Sequence, residues 1–317
     1  MARLEVRPFS AEFVEAAGGL LAARHRAHRA VEPLLPAAYE EPATAAAEVE
    51  ALTAAGATGA VGLRAGRVTG FLLGSHRDDE LWGPNVWVEP AGQALDAAED
   101  VRDLYATAAR AWVDEGRVRH YSIVPASDAT LVDAWFRLSF GLQHELALRE
   151  VPGTAWPEGV RLAQSEDVEA LVELAPAVSN HHAGAPVFSP GGPVTPPDEI
   201  RADLLDELPD ESIGNLVAER DGAVAGWFHV VSVERSSVHS GLARPPGAAL
   251  LAWAATSPHV RGSGAGRSLT DAVFAWAKQR GHESLVTDWR ATNLLASRFW
   301  PRRGFRTTFL RLYRHIP

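Results

Sequence analysis

Apolar residues at Leu269, Ala272, Val273, Trp276 and Ala277 follow the i, i+3, i+4, i+7 spacing of one buried helix face, and Gly281 closes the run. Just ahead, ALLAWAAT (residues 249–256) is short and apolar throughout, which predicts a buried strand. Elsewhere the apolar positions alternate. GAVGLRAGRVTGFLLG from Gly59 and NLVAERDGAVAGWFHV from Asn215 each predict two strands around a tight turn, at Gly66 and at Asp221-Gly222. LEVRPFSAEFVEAAGGLL from Leu4 and VRLAQSEDVEALVELA from Val160 predict a short strand and then a helix, with Ser10 and Ser165 at the cap positions.

These segments come in pairs and in the same order. HRAHRAVEPLLP and NHHAGAPVFSP are both histidine-containing helix ends that run into proline loops. In DATLVDAWFRLSF and NLLASRFWPRRGF, Asp128 and Asn293 are each followed seven positions on by a tryptophan, Trp135 and Trp300, and then by a small residue and phenylalanine. Chance matches among alanine- and leucine-rich helices are the alternative, but the common order favours an internal duplication. The expected division is a domain at 1–150, a Pro/Gly-punctuated linker at 151–159 (VPGTAWPEG) and a domain at 160–317. The halves differ after the buried strand: the second has TSPHVRGSGAGRSL, the first VEPAGQALDAAEDV, without the glycine cluster.

Composition narrows the function. A chain of 317 residues, 46% hydrophobic and 22% charged, is ordinary globular stock with room for two domains. A formal net charge of -10 argues against a nucleic-acid surface, which needs a basic stripe. Lys278 is the single lysine, so the basic residues are almost all arginine, a bias that fits GC-rich coding better than phosphate binding. The absence of cysteine excludes disulfides, thiolate metal sites and a cysteine acyl-enzyme. MARLEVRPFSAEFVEAAGG lacks a secretory apolar region, and the longest apolar run, around Ala248–Ala255, is too short for a bilayer; a cytoplasmic protein without membrane contact is expected. Adjacent His181 and His182 are a poor ligand pair and no spaced histidine motif appears, so no metal is expected.

Strand, glycine loop and helix start together form an anion site, because bare amides and the helix dipole face the ligand. Gly262, Gly264 and Gly266 let the backbone approach a phosphate closely. A P-loop would end in Gly-Lys-Ser/Thr, but the chain has Gly266-Arg267. A dinucleotide fingerprint from Gly262 would need glycine where Arg267 stands. An esterase elbow fails because Arg261 precedes Ser263 by two.

Arg261-Gly262-Ser263-Gly264-Ala265-Gly266 does match the Arg/Gln-x-x-Gly-x-Gly/Ala pattern of the GNAT acetyltransferases, and Asn293, Ala296, Phe299 and Gly304-Phe305 match that family's later Asn-x-x-Ala-x-x-Phe…Gly-Phe pattern. Residues 160–315 resemble a GNAT domain, and through the repeat the whole chain is similar to tandem GNAT proteins of the type that includes mycothiol synthases. The resemblance implies an α/β (α+β) protein of two GNAT folds with mixed, mostly antiparallel sheets and flanking helices, the first half degenerate. It implies acetyl-CoA as acyl donor, cradled by Arg261, Gly262, Ser263, Gly264, Ala265, Gly266 and Arg267. Pantetheine would lie between two splayed strands, with an amide of Ala254, Ala255 or Thr256 polarising the thioester and Asn293 positioning it.

Asp288, near the end of the next strand, is the candidate base; a structural pairing with Arg290 or Arg298 competes with that role. Trp300 stands where the family carries an acidic tyrosine, and an indole N–H cannot protonate a thiolate. Water or Tyr313 could protonate it instead, although Tyr313, on the expected last strand, fits a packed strand tyrosine better. His181 and His182, with His25 and His28 in the matching place, fit an acceptor pocket or satisfied helix ends. Trp227 and Trp253 fit either an acceptor cleft or core. The expected activity is acetyl transfer from acetyl-CoA directly to a small-molecule or peptide amine. A non-catalytic acyl-CoA-binding sensor or scaffold is the alternative, and oligomeric state is left open.

Overall fold

The computed structural model describes residues 2–79, 82–189, 195–260 and 262–317. Two compact units emerge, Met1–Leu146 with Ser240–Pro246 and Thr307–Pro317, and Ala147–His239 with Gly247–Arg306. The first carries β1 (Glu5–Pro8), α1 (Val14–Val31), α2 (Pro42–Ala54), β2 (Thr58–Arg64), β3 (Arg67–Asp79), β4 (Gly83–Val88) and β5 (Gln93–Leu95). It continues through α3 (Val101–Asp114), β6 (Arg119–Pro125) and α4 (Ala129–Phe136), and β7 (Gly141–Glu150) leads out of it. The second carries β8 (Val160–Leu162), α5 (Val168–Leu174), α6 (Ala177–Ala183), α7 (Pro197–Glu207), β9 (Gly214–Arg220) and β10 (Ala223–Ser232). Then follow β11 (Ala249–Thr256), α8 (Ala265–Gln279), β12 (Ser284–Arg290), α9 (Leu294–Phe299) and β13 (Arg306–His315).

The first unit orders its strands β1-β2-β3-β4-β6-β13 and the second β12-β11-β10-β9-β8. All these pairs are antiparallel except β4/β6 and β11/β12, so each unit is a mixed, mostly antiparallel sheet with helices against it. Both predicted hairpins form. Arg64↔Arg67 and Arg220↔Ala223 close two-residue turns at Ala65-Gly66 and Asp221-Gly222, with positive φ at all four residues. That turn twists in the sense the strands need.

The helix face predicted from Leu269 to Ala277 is buried against Leu216, Phe228, Val230 and Leu251. In the first unit Leu104, Ala108 and Trp112 of α3 pack with Leu72, Val86 and Val124. Three sequence expectations shift. Ser10 makes no cap bond and donates instead to Glu12 Oε1 at 3.0 Å. At the second site the capping box is made by Gln164 and Asp167, not Ser165. A division into 1–150 and 160–317 counts β13 with the second half, yet by pairing from Phe309↔Pro125 to His315↔Arg119 this strand completes the first unit's sheet. Among the described residues no helix is long and apolar enough to cross a membrane.

Candidate active site

The strand pair next to the glycine loop comes apart, for a local reason. Against β10, His229 faces Trp253 but Val230 faces Leu251, so Ala252 is the extra residue of a β-bulge. A bulge bends its strand. Parallel pairing with β12 is confined to Ala249↔Leu285 and Leu250↔Val286, and Thr287 Oγ1 donates to Leu251 O at 3.1 Å where the strands separate. Past that point Ala254, Ala255 and Thr256 line a cavity of about 470 Å³.

The start of α8 forms another wall. Gly262 and Gly264 have φ of 84° and 88°, the left-handed region that glycine enters without strain. Gly264 is the N-cap and supplies no side-chain acceptor, and no acidic residue lies in the first turn. The first intrahelical bond here is Ser268 N to Gly264 O, so the amides of Ala265, Gly266 and Arg267 have no intrahelical acceptor. With the positive helix end and the exposed Arg267 side chain, they suit an anion. Gly262, Gly264, Ala265, Gly266 and Arg267 all line the cavity. Among the described residues Ser263 and Asp288 are not part of the lining, and Arg261 lies outside the described residues.

The far wall is α9 and the residue before it. Asn293, only 9% exposed, caps α9 by accepting from Leu295 N at 3.1 Å and Ala296 N at 3.2 Å. Two histidines from α6 meet the same amide: His181 Nε2 lies 3.1 Å from Asn293 Oδ1, and Asn293 Nδ2 lies 3.3 Å from His182 Nε2. His181 lines the cavity. Burial, with Arg290 and His181 adding repulsion, holds the His182 imidazole below its usual range. The sequence paired these residues with His25 and His28, but those two are core. His25 Nε2 meets Pro36 O at 2.8 Å and His28 packs on the Phe309 ring, and burial pushes them down to about 4 and about 3.

Trp300 is 7% exposed, packed among Phe228, Phe299 and Phe305, and forms part of the cavity wall. Tyr313 is not among the described lining residues; it sits in the first unit's sheet, 5.0 Å from the Tyr121 ring. Trp227 and Trp253 pack on each other at 4.3 Å beneath α5 and α7, Trp227 Nε1 donating to Asn215 Oδ1, and neither lines the cavity. On β12, Leu285 and Trp289 belong to the cluster around α8, so Asp288 and Arg290 lie on the opposite face, from which Arg290 acts on His182 of α6. Among the described residues no metal-holding cluster occurs.

The first unit shows what the same plan looks like closed. β4 and β6 stay paired from Asn85↔Arg119 to Val88↔Ser122. Beyond them the buried Gln93 side chain donates to Ser122 Oγ at 3.0 Å and Ile123 O at 3.1 Å, and Trp135 Nε1 donates to Gln93 Oε1 at 3.0 Å. Arg24 holds the same segment through Gln93 O and, at 2.6 Å, Pro90 O. Glu99, Asp100 and Asp103 crowd the start of α3, so the helix end that would face a phosphate is acidic.

Residues 164–305 match the acetyltransferase (GNAT) family model. That segment, almost all of it in the second unit, is a GNAT acetyltransferase domain. The chain's fold is shared, over the whole length, with a GCN5-related N-acetyltransferase from Sphaerobacter thermophilus: TM-score 0.58, 14% identity, 98% of this chain and 95% of that one. A tandem GNAT protein from the clavulanic acid biosynthesis pathway matches with TM-score 0.50 and 16% identity over 99% and 98%. A glucosamine N-acetyltransferase region of a fungal multi-domain protein matches with TM-score 0.53 and 13% identity, over 99% of this chain and 38% of that one. None of the curated proteins matches this chain.

Proposed function

We propose that the second unit transfers an acetyl group from acetyl-CoA directly to the amine of a small molecule or peptide. One observation carries this reading: a single cavity runs from an uncapped, acid-free helix start to a pair of splayed strands. Pyrophosphate would sit on the amides of residues 262–267. Pantetheine would take the strand position vacated between β11 and β12, and a backbone amide of Ala254–Thr256 would polarise the thioester carbonyl. Asn293 would hold the far end, and Trp300 would wall it. Asp288, on the face of β12 opposite α8, would draw a proton from the incoming ammonium. With no cysteine for an acyl-enzyme, transfer is direct. The net charge of -10 favours a cationic acceptor, for which an aminoglycoside, a polyamine and a peptide amino group are candidates.

The test is a calorimetric titration with acetyl-CoA. One site per chain is expected, since the first unit is closed by Gln93 and acidic at α3; no binding refutes the proposal. Asp288→Asn should lower acetyl transfer by orders of magnitude and spare acetyl-CoA binding. Trp300 in the tyrosine position favours a second reading, a binder without turnover. Its mark would be acetyl-CoA bound with no thiol release that depends on an acceptor, including the cysteinyl acceptor of mycothiol synthesis.

A further inference from the structure

We infer that His181 carries the proton from the attacking amine to the leaving thiolate, in place of the tyrosine that Trp300 replaces. This rests on the acetyl-transfer reading above. Among the described residues that line the cavity, only His181 and Arg267 are ionisable, and a guanidinium stays charged. Tyr313 belongs to the first unit. His181 is therefore the one described lining group whose side chain can both accept and donate a proton.

Its tautomer follows from the helix cap. Leu295 N and Ala296 N both donate to Asn293 Oδ1, which fixes that atom as the oxygen and the other as the NH₂ group. His181 Nε2, 3.1 Å from the oxygen, must then carry hydrogen, leaving Nδ1 with a bare lone pair. His182 Nε2, 3.3 Å from the NH₂ group, must be the acceptor, and burial together with Arg290 disfavours the charged form of that ring. Asn293 thus orients His181 as a third group orients the base in an activated pair.

The step balances. The neutral amine attacks the thioester carbon and forms the C–N bond, and one N–H proton passes to His181 Nδ1. The C–S bond then breaks with its pair on sulfur, and Nδ1–H protonates the thiolate, giving amide, free thiol and neutral imidazole. Of the charged or titratable groups near His181, His182 adjoins it on α6, Arg290 acts on His182 from β12, and Arg267 lines the same cavity from the start of α8.

The experiment measures acetyl-CoA binding and, with hydroxylamine as probe acceptor, thiol release across pH. In His181→Gln we expect affinity within about threefold of wild type and turnover reduced about 100-fold or more, with the acidic limb of the profile flattened. His182→Gln should retain that limb. The proposal is overturned by a His181→Gln variant within about threefold of wild-type turnover that keeps the limb. It is equally overturned if wild-type protein binds acetyl-CoA but releases no thiol above buffer. If wild type binds no acetyl-CoA, the titration alone shows that the acetyl-transfer reading has failed, and this inference falls with it. Should the glutamine variant not fold, imidazole ¹⁵N shifts of wild-type His181 decide: protonated Nε2 with bare Nδ1 supports the assignment, and the opposite tautomer refutes it.

Discussion

Gly264→Ala isolates the glycine loop from everything else in the site. Gly264 has φ 88° and ψ -4°, and a Cβ added there meets no heavy atom within 4 Å. No collision results, so the penalty is conformational, about 1–2 kcal/mol for an L-residue held in the left-handed region. For a domain of this size that lowers Tm by about 2–8 °C. The loop can relieve the strain by turning residue 264 to negative φ, and the amides of Ala265, Gly266 and Arg267 then lose their common aim. Amide bonds to a charged phosphate contribute about 1.5–3 kcal/mol each. Losing two raises Kd by about two to four orders of magnitude. Gly222→Ala is the control, because Gly222 has φ 77°, equal open space and a place in the β9–β10 turn. Calorimetry with acetyl-CoA and thermal unfolding of both variants give the answer. Similar Tm losses with Kd raised at least about 30-fold only for Gly264→Ala are expected. A Kd within about threefold of wild type in both variants would refute the idea that these amides hold the ligand.

Gln93→Ala should destabilise the protein by about 3 kcal/mol in urea unfolding, since Ser122, Ile123 O and Trp135 Nε1 lose a buried partner. Its acetyl-CoA stoichiometry should stay at one; a second site would mean that Gln93 alone closes the first unit. Acid should also weaken the fold. Burial is the main cause that pushes His25, His28 and His120 down to about 4, 3 and 4. Unfolded histidine takes up a proton near 6.5 while these stay neutral, so stability is full above that pH and falls below it. The loss at pH 5 is on the order of 2 kcal/mol for each. Equal urea midpoints at pH 7 and pH 5 would contradict this.

Local elements were legible in the sequence wherever one short pattern decides them. The buried strand at 249–256, the helix face from Leu269 to Ala277 and the two hairpin turns all stand where the apolar period and the turn residues put them. The repeat was legible too: Asp128 and Asn293 both cap the helix that follows, through Leu131 N in one case and Leu295 N and Ala296 N in the other. Partner choice was not. Alternation in β13 says which faces are buried but not which strand lies alongside. An unbroken apolar run also hides the bulge at Ala252, because every residue in it suits either face. The meeting of His181 with Asn293 spans 112 positions, and only the adjacency of His181 and His182 hinted at it. Comparison with His25 and His28 pointed the wrong way, since those two are buried structural groups.

The two units show how little separates an open ligand cleft from a closed core. Each has a parallel strand pair followed by a helix, and in each the decisive residues lie in the connection between them. In the second unit that connection has three glycines, a helix start without acids and strands that part after two paired positions. In the first unit the paired positions are four, Gln93 bridges to β6, and Glu99, Asp100 and Asp103 stand where a phosphate would. Either change alone would weaken a nucleotide-bearing ligand: the acids repel its phosphates, and the glutamine bonds the backbone that pantetheine would need. Both together argue that the first unit's cleft has become core rather than a second, weaker site. The satisfied hydrogen bonds of Gln93 also give that closed state its own stability, independent of any ligand.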